Sequence, residues 1–305
     1  MDLPKQVSIV EVGPRDGFQN ISTFVETEDK INIIKSLATA GLKRIEVTSF
    51  VNPKWIPQMK DAKDVVKQLK DEDLDMDLIA LVPNRKGAEN AIDSGVDTIG
   101  FVVSVSDAHN KANVNRTVDE SFKDFLDLVE EYPNSTFRLC LATVFGCPFD
   151  EKIDLERVSN IINIARSKGV SEILLADTIG VANPLQMHKI LSDIKKQVGT
   201  ENITLHIHDT RGMGMANILV ALELGYTSIE TSIAGLGGCP FAPGAAGNVA
   251  TEDLVNMLNG MNIQHNVDLE LLKKSLELIK DNVDAPITSH MGSIFSNEKL
   301  DKNPC

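Results

Sequence analysis

Short runs of apolar residues alternate with longer amphipathic segments along most of the chain. The short runs are rich in Val, Ile and Leu and are bounded by polar or Gly-containing stretches, a pattern typical of buried strands. We therefore predict strands at eight places, namely 7–12, 44–49, 77–82, 98–105, 136–144, 172–177, 203–208 and 228–234.

The segments between these runs show helical periodicity. In residues 28–40, Ile31, Ile34 and Leu37 recur at the spacing of one helix face, and 184–198 begins with Pro184 at the first helical position. Each connection is long enough for a crossover helix, which two neighbouring parallel strands require. The sheet is therefore predicted to be parallel.

A weak internal repeat precedes every second strand. The stretches AGLKRIE, SGVDTIG, KGVSEIL and LGYTSIE each place a glycine, at Gly41, Gly95, Gly169 and Gly225, a few residues before an apolar strand residue. A glycine after a helix accepts the left-handed conformation that turns the chain back toward the sheet. No GxGxxG loop opens the first unit, so the pattern predicts an α/β fold of the (β/α)8 TIM-barrel type rather than a doubly wound sheet.

The domain organisation follows from the same pattern. Residues 268–281 form an extra helical segment after the eighth unit, and no Pro-, Gly- or Ser-rich linker divides the chain. We predict one barrel domain over residues 1–284, including the extra C-terminal helix, and a C-terminal tail over 285–305.

Composition and charge exclude several classes of partner. The 305 residues are 42% hydrophobic and carry a formal charge of −14, which disfavours nucleic acid and anionic membranes. The four cysteines form no CxxC pair, as expected in a reducing compartment. There is no signal-peptide core and no run of about 18 apolar residues. These features predict a soluble cytoplasmic protein.

The barrel places its active site at the C-terminal ends of the strands. Polar side chains accumulate at the predicted strand ends, and a glycine-rich loop carrying Cys239 follows the eighth strand. The polar residues are Arg15, Asp16, Glu46, Thr48, Ser49, Asn84, Ser104, Ser106, Thr143, Asp177, His206, His208 and Asp209.

The stretch LHIHD is the most specific of these for a metal. His206 and His208 lie two apart on a strand, so both rings leave one face with α-carbons roughly 6.5 Å apart. Taken alone, a His-x-His pair is equally consistent with two structural histidines that bind no metal. The oxygen donors Asp16 and Asn248 follow strands adjacent in a closed barrel, and this mixed set suits octahedral Mg²⁺ or Mn²⁺ better than zinc.

The loop 235–248 surrounds Cys239 with glycine and proline rather than with packing residues. A cysteine in such a backbone-rich segment favours a reactive role over a structural one.

Five motifs carry a resemblance to a known family. The stretches VGPRDGFQN, IEVTSFVNPKWIPQM, ADTIGVANP, HIHDTRG and GLGGCPFAPGAAGNVATED resemble the 3-hydroxy-3-methylglutaryl-CoA lyases, whose barrel superfamily also holds isopropylmalate, homocitrate and citramalate synthases. The resemblance runs from about residue 7 to 280. It implies a homodimer that acts on an acyl-CoA and serves leucine degradation or another ketone-body route to acetoacetate.

The resemblance also implies the roles of individual residues. Asp16, His206, His208 and Asn248 would hold the divalent cation, and Cys239 would be a catalytic acid/base on a flexible loop. The residues implied to face or bind the substrate are Arg15, Gln19, Glu46, Asp177 and Thr178.

The expected reaction cleaves 3-hydroxy-3-methylglutaryl-CoA to acetoacetate and acetyl-CoA. Arg15 would stabilise the enolate oxygen, and the Cys239 thiol, with an ordinary pKa of about 8.5, would protonate the enolate carbon. His208, Asp177 or Glu46 would remove the hydroxyl proton, and the sequence does not rank them.

Three alternatives stay open at this stage. His109 and Arg211 depart from many lyases and leave room for a lyase of a related 3-hydroxy acyl-CoA. An acetyl-CoA-condensing synthase is disfavoured by Phe18 after the Arg-Asp-Gly motif and by Cys239. A non-catalytic acyl-CoA-binding barrel is disfavoured because every chemical group of the reaction is retained.

Overall fold

A computed structural model describes residues 2–72, 74–149, 152–238 and 247–298. Within these residues, eight parallel strands pair in chain order and the first closes on the last. This confirms the predicted TIM barrel. The strands are β1 Ser8–Glu11, β2 Arg44–Ser49, β3 Asp77–Val82, β4 Thr98–Ser104, β5 Thr136–Ala142, β6 Glu172–Asp177, β7 Ile203–Ile207 and β8 Ser228–Thr231.

Helices connect the strands and cover the outside of the barrel. The predicted segments 28–40, 184–198 and 268–281 are helical to within one residue at each end, and Asn183 caps its helix by accepting from the Gln186 N–H at 3.0 Å. The α-helices of the described residues are α1 Thr27–Thr39, α2 Ala62–Asp71, α3 Arg85–Ser94, α4 Asp107–Val114, α5 Val118–Glu131, α6 Leu155–Ser167, α7 Pro184–Val198, α8 Gly214–Glu223, α9 Thr251–Gly260, α10 Leu269–Asn282 and α11 His290–Glu298.

Side chains alternate across each strand between two environments. On β5, Leu139 and Leu141 point outward into the main hydrophobic core between sheet and helices. Arg138, which precedes Leu139, and Cys140, which lies between the two leucines, point into the barrel lumen. There Arg138 forms ion pairs with Glu46 of β2 and Glu230 of β8. This alternation places hydrophobic residues outside the barrel and functional side chains inside it.

The C-terminal region differs from the tail predicted over 285–305. Residues up to 298 are ordered as α11 and a preceding segment, which pack on the junction between β8 and α9. Thr288 N–H donates to the Ala234 carbonyl at 3.0 Å, and Met291 N–H donates to Asp253 Oδ1 at 2.7 Å. The sequence pattern does not predict this packing, because the partner residues lie more than thirty residues earlier in the chain. Residues 299–305, including Cys305, lie outside the described residues.

No helix within the described residues is long and apolar enough to cross a membrane.

Candidate active site

A tight π-helical turn, Gly13–Gly17, follows β1 and carries Arg15 and Asp16 into the barrel mouth. The turn has no space for a side chain at either end, because a Cβ at Gly13 would lie 2.7 Å from Glu11 Oε1 and one at Gly17 would lie 2.8 Å from Leu236 Cβ. The GPRDG sequence therefore fits this turn for a steric reason.

Arg15 is held between two carboxylates in the buried mouth. Its guanidinium donates to Asp16 through Nη1 and to Glu46, at the inner face of β2, through Nε. Burial opposes ionisation of Asp16, but the charge of Arg15 and the adjacent His206 outweigh it and lower the pKa of Asp16 below its ordinary value. Asp16 is therefore a carboxylate at neutral pH, and Gln19 Nε2 donates to its Oδ1 at 2.8 Å.

The two histidines near the end of β7 lie side by side in the lumen. Their Nε2 atoms are 2.9 Å apart, so both rings direct a nitrogen toward the same point. Burial and the neighbouring His206 lower the pKa of His208 to about 4, which keeps that ring neutral at pH 7. A neutral imidazole is the form that binds metals.

These groups fit a divalent cation. Ligand atoms of Asp16, His206 and His208 all lie within 4.8 Å of one another, and all three residues are buried. Asn248 Nδ2 donates to Asp16 Oδ2 at 2.7 Å, while its Oδ1 has no hydrogen-bond partner among the described residues. Two imidazoles, one carboxylate and an unsatisfied amide oxygen are suitable donors for such an ion.

The sequence analysis missed two buried residues that support this cluster. Glu230 on β8 accepts from His206 Nδ1 at 2.8 Å through Oε2, and its Oε1 accepts from Arg138 Nη1 at 2.6 Å. Arg138 Nη2 donates to Glu46 Oε1 at 2.8 Å. The signal in the sequence that could have identified them is that each is a charged residue at an inward-facing position of a strand.

A cavity of about 170 Å³ opens beside these groups at the barrel mouth. It has one polar side and one apolar side. Its lining residues are Arg15, Asp16, Gln19, Leu81, Val102, Arg138, Cys140, Ala142, Leu174, Ala176, Thr178, His206, His208, Glu230 and Gly238.

Asp177 and Thr178 occupy different environments. Thr178 lines the cavity and its Oγ1 accepts from the Thr143 N–H at 2.8 Å. The carboxylate of Asp177 instead accepts from the N–H groups of Val181 and Ala182, both at 3.1 Å, and does not line the cavity. Burial raises the pKa of Asp177.

Other predicted rim residues have local structural partners. Asn84 caps α3 by accepting from Gly87 N–H at 3.0 Å, and Asp209 accepts from Gly214 N–H at 2.6 Å. Arg211 donates to the carbonyls of Ile179 and Gly180 in the loop after β6.

His109 and Cys239 are the remaining residues that the sequence analysis singled out. His109 sits on α4 with Nδ1 3.0 Å from Ser104 Oγ, outside the cavity lining. Cys239 lies outside the described residues.

Comparisons with known proteins agree with this architecture. The chain is 42% identical over 299 residues to hydroxymethylglutaryl-CoA lyase YngG of Bacillus subtilis, covering 97% of this chain and 100% of that protein. It is 42% identical to the human mitochondrial hydroxymethylglutaryl-CoA lyase, covering 88% of this chain and 83% of that protein.

Solved structures give the same result. The crystal structure of the Bacillus subtilis HMG-CoA lyase superposes with a TM-score of 0.92 at 43% identity, covering 97% of this chain and all of that one. An HMG-CoA lyase from Acinetobacter baumannii, in complex with coenzyme A and 3-methylmalate, superposes with a TM-score of 0.88 at 38% identity and covers 99% of this chain and 98% of that one. The profile of the HMGL-like family matches residues 6–279, and the chain therefore belongs to the HMGL-like family.

Proposed function

We propose that this chain cleaves 3-hydroxy-3-methylglutaryl-CoA to acetoacetate and acetyl-CoA with the help of Mg²⁺ or Mn²⁺. The observation that carries the proposal is the buried cluster of Asp16, His206 and His208 beside Arg15 at the barrel mouth. Relatives at 42% identity across most of the chain bear the name of this lyase, and one similar structure holds coenzyme A.

The cation would be held by Asp16, His206, His208 and Asn248. For Asn248 to act as a ligand, its free Oδ1 rather than its Nδ2 would face the ion, since the nitrogen now donates to Asp16. A divalent ion held by these residues would supply Lewis-acid chemistry, which lowers the pKa of a substrate hydroxyl. The mixed nitrogen and oxygen donors favour Mg²⁺ or Mn²⁺ over zinc.

Arg15 is proposed to stabilise the developing enolate. When the bond between C2 and C3 breaks, its electron pair remains with the acetyl-CoA unit and negative charge develops on the thioester oxygen. Arg15 stays cationic and is already oriented by Asp16 and Glu46, so it requires little reorganisation. Removing one such donor elsewhere costs about 2.7 to 4 kcal/mol of transition-state stabilisation.

The hydroxyl proton needs an acceptor, and the contacts disfavour both Glu46 and Asp177. Both oxygens of Glu46 are bonded by arginines, so taking a proton there would break an ion pair. Burial raises the pKa of Asp177, which makes its carboxylate a stronger base, but the N–H groups of Val181 and Ala182 bond that carboxylate and it does not line the cavity. His208 lines the cavity, and its Nδ1, which has no partner among the described residues, is the acceptor that these contacts leave.

Cys239 is proposed as the acid that delivers a proton to the enolate carbon. Its sequence neighbour Gly238 lines the cavity, and Asn248, the last residue of the loop 235–248, contacts Asp16. The described residues on either side of Cys239 in the sequence are therefore close to the cavity and to the candidate metal cluster. With this proton the products are complete, because the hydroxyl carbon becomes the ketone of acetoacetate.

The test is release of acetoacetate and acetyl-CoA from 3-hydroxy-3-methylglutaryl-CoA by the purified chain, with Mg²⁺ or Mn²⁺ and again after chelation. We expect cleavage that stops on chelation and returns on adding metal. Cation binding without cleavage would overturn the substrate assignment and favour a related 3-hydroxy acyl-CoA or the condensation reaction.

A further inference from the structure

The cavity at the barrel mouth has an apolar side that none of the proposed catalytic steps uses. We name it the apolar wall and define it by its lining residues, which come from β3 to β6: Leu81, Val102, Cys140, Ala142, Leu174 and Ala176. The other lining residues are polar side chains and one glycine, namely Arg15, Asp16 and Gln19 after β1, Arg138 of β5, Thr178 after β6, His206 of β7, His208 just after β7, Glu230 of β8 and Gly238. The apolar lining residues therefore come from four consecutive strands, and Arg138 and Thr178 are the polar lining residues that this part of the barrel adds.

The apolar wall is separate from the protein's main core. Cys140, Leu174 and Ala176 form their own buried cluster, with Leu81 and Val102 packed against it. Their neighbours along the strands, such as Leu139, Ile173 and Leu175, belong to the core outside the sheet. The wall residues thus pack against one another and face the cavity.

The wall offers no ion pair or strong hydrogen-bond donor to a ligand. Aliphatic side chains make up most of it, and burial raises the pKa of the Cys140 thiol to about 12, so the thiol stays neutral. A charged or hydroxylated group placed there would lose its hydration without a replacement, which costs free energy. An alkyl group would gain by leaving water.

The proposed substrate has one group of this kind at its reacting centre. The carbon that bears the hydroxyl also bears a carboxymethyl arm, a thioester arm and a methyl group, and only the methyl lacks oxygen. We propose that the apolar wall binds this methyl branch and that Leu174 sets the largest branch accepted. The inference rests on the proposed function and extends it from the reaction to the class of substrate, namely 3-hydroxy-3-alkylglutaryl thioesters with a small alkyl branch.

The chain offers a matched pair of substitutions to test this. Leu174 and Leu175 are adjacent on β6, and both are buried, but only Leu174 lines the cavity. Leu174→Ala and Leu175→Ala remove the same atoms from opposite faces of one strand. For each protein, kcat/KM is measured for 3-hydroxyglutaryl-CoA, 3-hydroxy-3-methylglutaryl-CoA and 3-ethyl-3-hydroxyglutaryl-CoA. The ratio between substrates does not depend on how much of a preparation is folded.

We expect Leu174→Ala to raise the ethyl-to-methyl ratio of kcat/KM by about 10-fold or more, the effect of one methylene in an apolar pocket. Leu175→Ala should leave that ratio within about twofold of the wild-type value. Ala176→Val, which narrows the wall, should lower the methyl-to-unbranched ratio, and it keeps the test decisive if Leu174→Ala does not fold.

Two outcomes would overturn the inference and they are distinguishable from failure of the proposed function. Equal changes for all three thioesters would mean that the wall contacts a part they share, and identical ratios in the two leucine variants would remove any role for Leu174. Wild-type protein that binds Mn²⁺ but cleaves none of the thioesters would instead refute the proposed lyase reaction itself.

Discussion

Single residues around His206 determine which of its nitrogens can reach a cation. Glu230 Oε2 lies 2.8 Å from Nδ1, and a carboxylate can only accept, so Nδ1 carries a proton and, in the neutral ring, the lone pair is on Nε2. Arg138 holds the other oxygen of Glu230 at 2.6 Å and prevents it from rotating away. The ring orientation is therefore fixed before any ion arrives.

Glu230→Gln should weaken cation binding without removing the side chain. Glutamine can present its amide N–H to Nδ1, which favours the opposite tautomer and blocks Nε2. We expect Mn²⁺ affinity to fall by about 10- to 100-fold, measured by calorimetry or by electron paramagnetic resonance of free Mn²⁺.

The matched control is Glu172→Gln. Glu172 is another buried lumen carboxylate paired with an arginine, Arg44, and it contacts Thr204 rather than a residue of the metal cluster. Equal losses of Mn²⁺ affinity in the two variants would refute a specific role for Glu230.

Cys239→Ala should separate metal binding from turnover. The proposed acid is lost while the four proposed ligands remain, so we expect unchanged Mn²⁺ affinity and a kcat reduced by about 100-fold or more. Cys147→Ala provides the control, since Cys147 contacts Ser106 and does not line the cavity. Wild-type turnover in the Cys239 variant would rule out the acid role.

The sequence located some of this cluster but not all of it. Alternation along one strand brings His206 and His208 to one face, and barrel topology brings Asp16 beside them, so local rules suffice. Arg138 and Glu230 lie 92 residues apart. Their pairing depends on the register around the closed barrel, which no local pattern encodes.

At the scale of elements, the strands were predictable because the hydrophobic runs are continuous and bounded. The predicted and observed bounds of β2, β3 and β6 coincide. The π-helical turn Gly13–Gly17 and helix α4 were not predicted. Both are short, and the turn packs closely against Ile233 and Leu236, which follow the last strand of the barrel.

The element that most changes the predicted picture is α11 with the segment before it. Thr288 satisfies the carbonyl of Ala234, whose backbone has a left-handed φ of 63°, and Asp253 accepts from two N–H groups at the start of α11. This segment therefore stabilises the strained turn after β8, from which the glycine-rich loop begins.

A chain ending at Asp284 should be less stable than one ending at Glu298. Removing the segment leaves the buried Ala234 carbonyl without the Thr288 N–H and takes the hydrogen bond of Ser289 from Glu252, and each such loss costs roughly 1 to 3 kcal/mol. We expect the Tm to fall by about 4 °C or more in differential scanning calorimetry. Equal Tm values for the two chains would contradict the assigned role of α11.

For the whole molecule, two buried acids should make stability depend on pH. Burial raises the pKa of Glu11 and of Glu252 to about 7, above their ordinary value of 4.5. Between these values the folded state binds more protons than the unfolded state, so the free energy of unfolding falls as pH rises from about 5 to 7. Each group contributes up to about 3 kcal/mol.

Glu252→Gln should reduce this slope. The amide is neutral at every pH and can still accept from the Ala234 N–H. We expect a smaller decrease in Tm between pH 5 and 8 than in the wild type, whereas Glu28→Gln, at an exposed position on α1, should leave the slope unchanged. Identical slopes in all three proteins would disprove the assignment of a raised pKa to Glu252.

The pairing of β1 with β8 has a consequence for folding. This pairing joins the two ends of the barrel, and the cation cluster lies at the same seam, where Asp16 contacts Asn248 from 232 residues away. A metal ion at this point would bind the closed ring and not the open chain. By linkage it would add about 2.7 kcal/mol to the free energy of unfolding at one hundred times its Kd. The ion proposed for catalysis would then also report, through the Tm, whether the ring has closed.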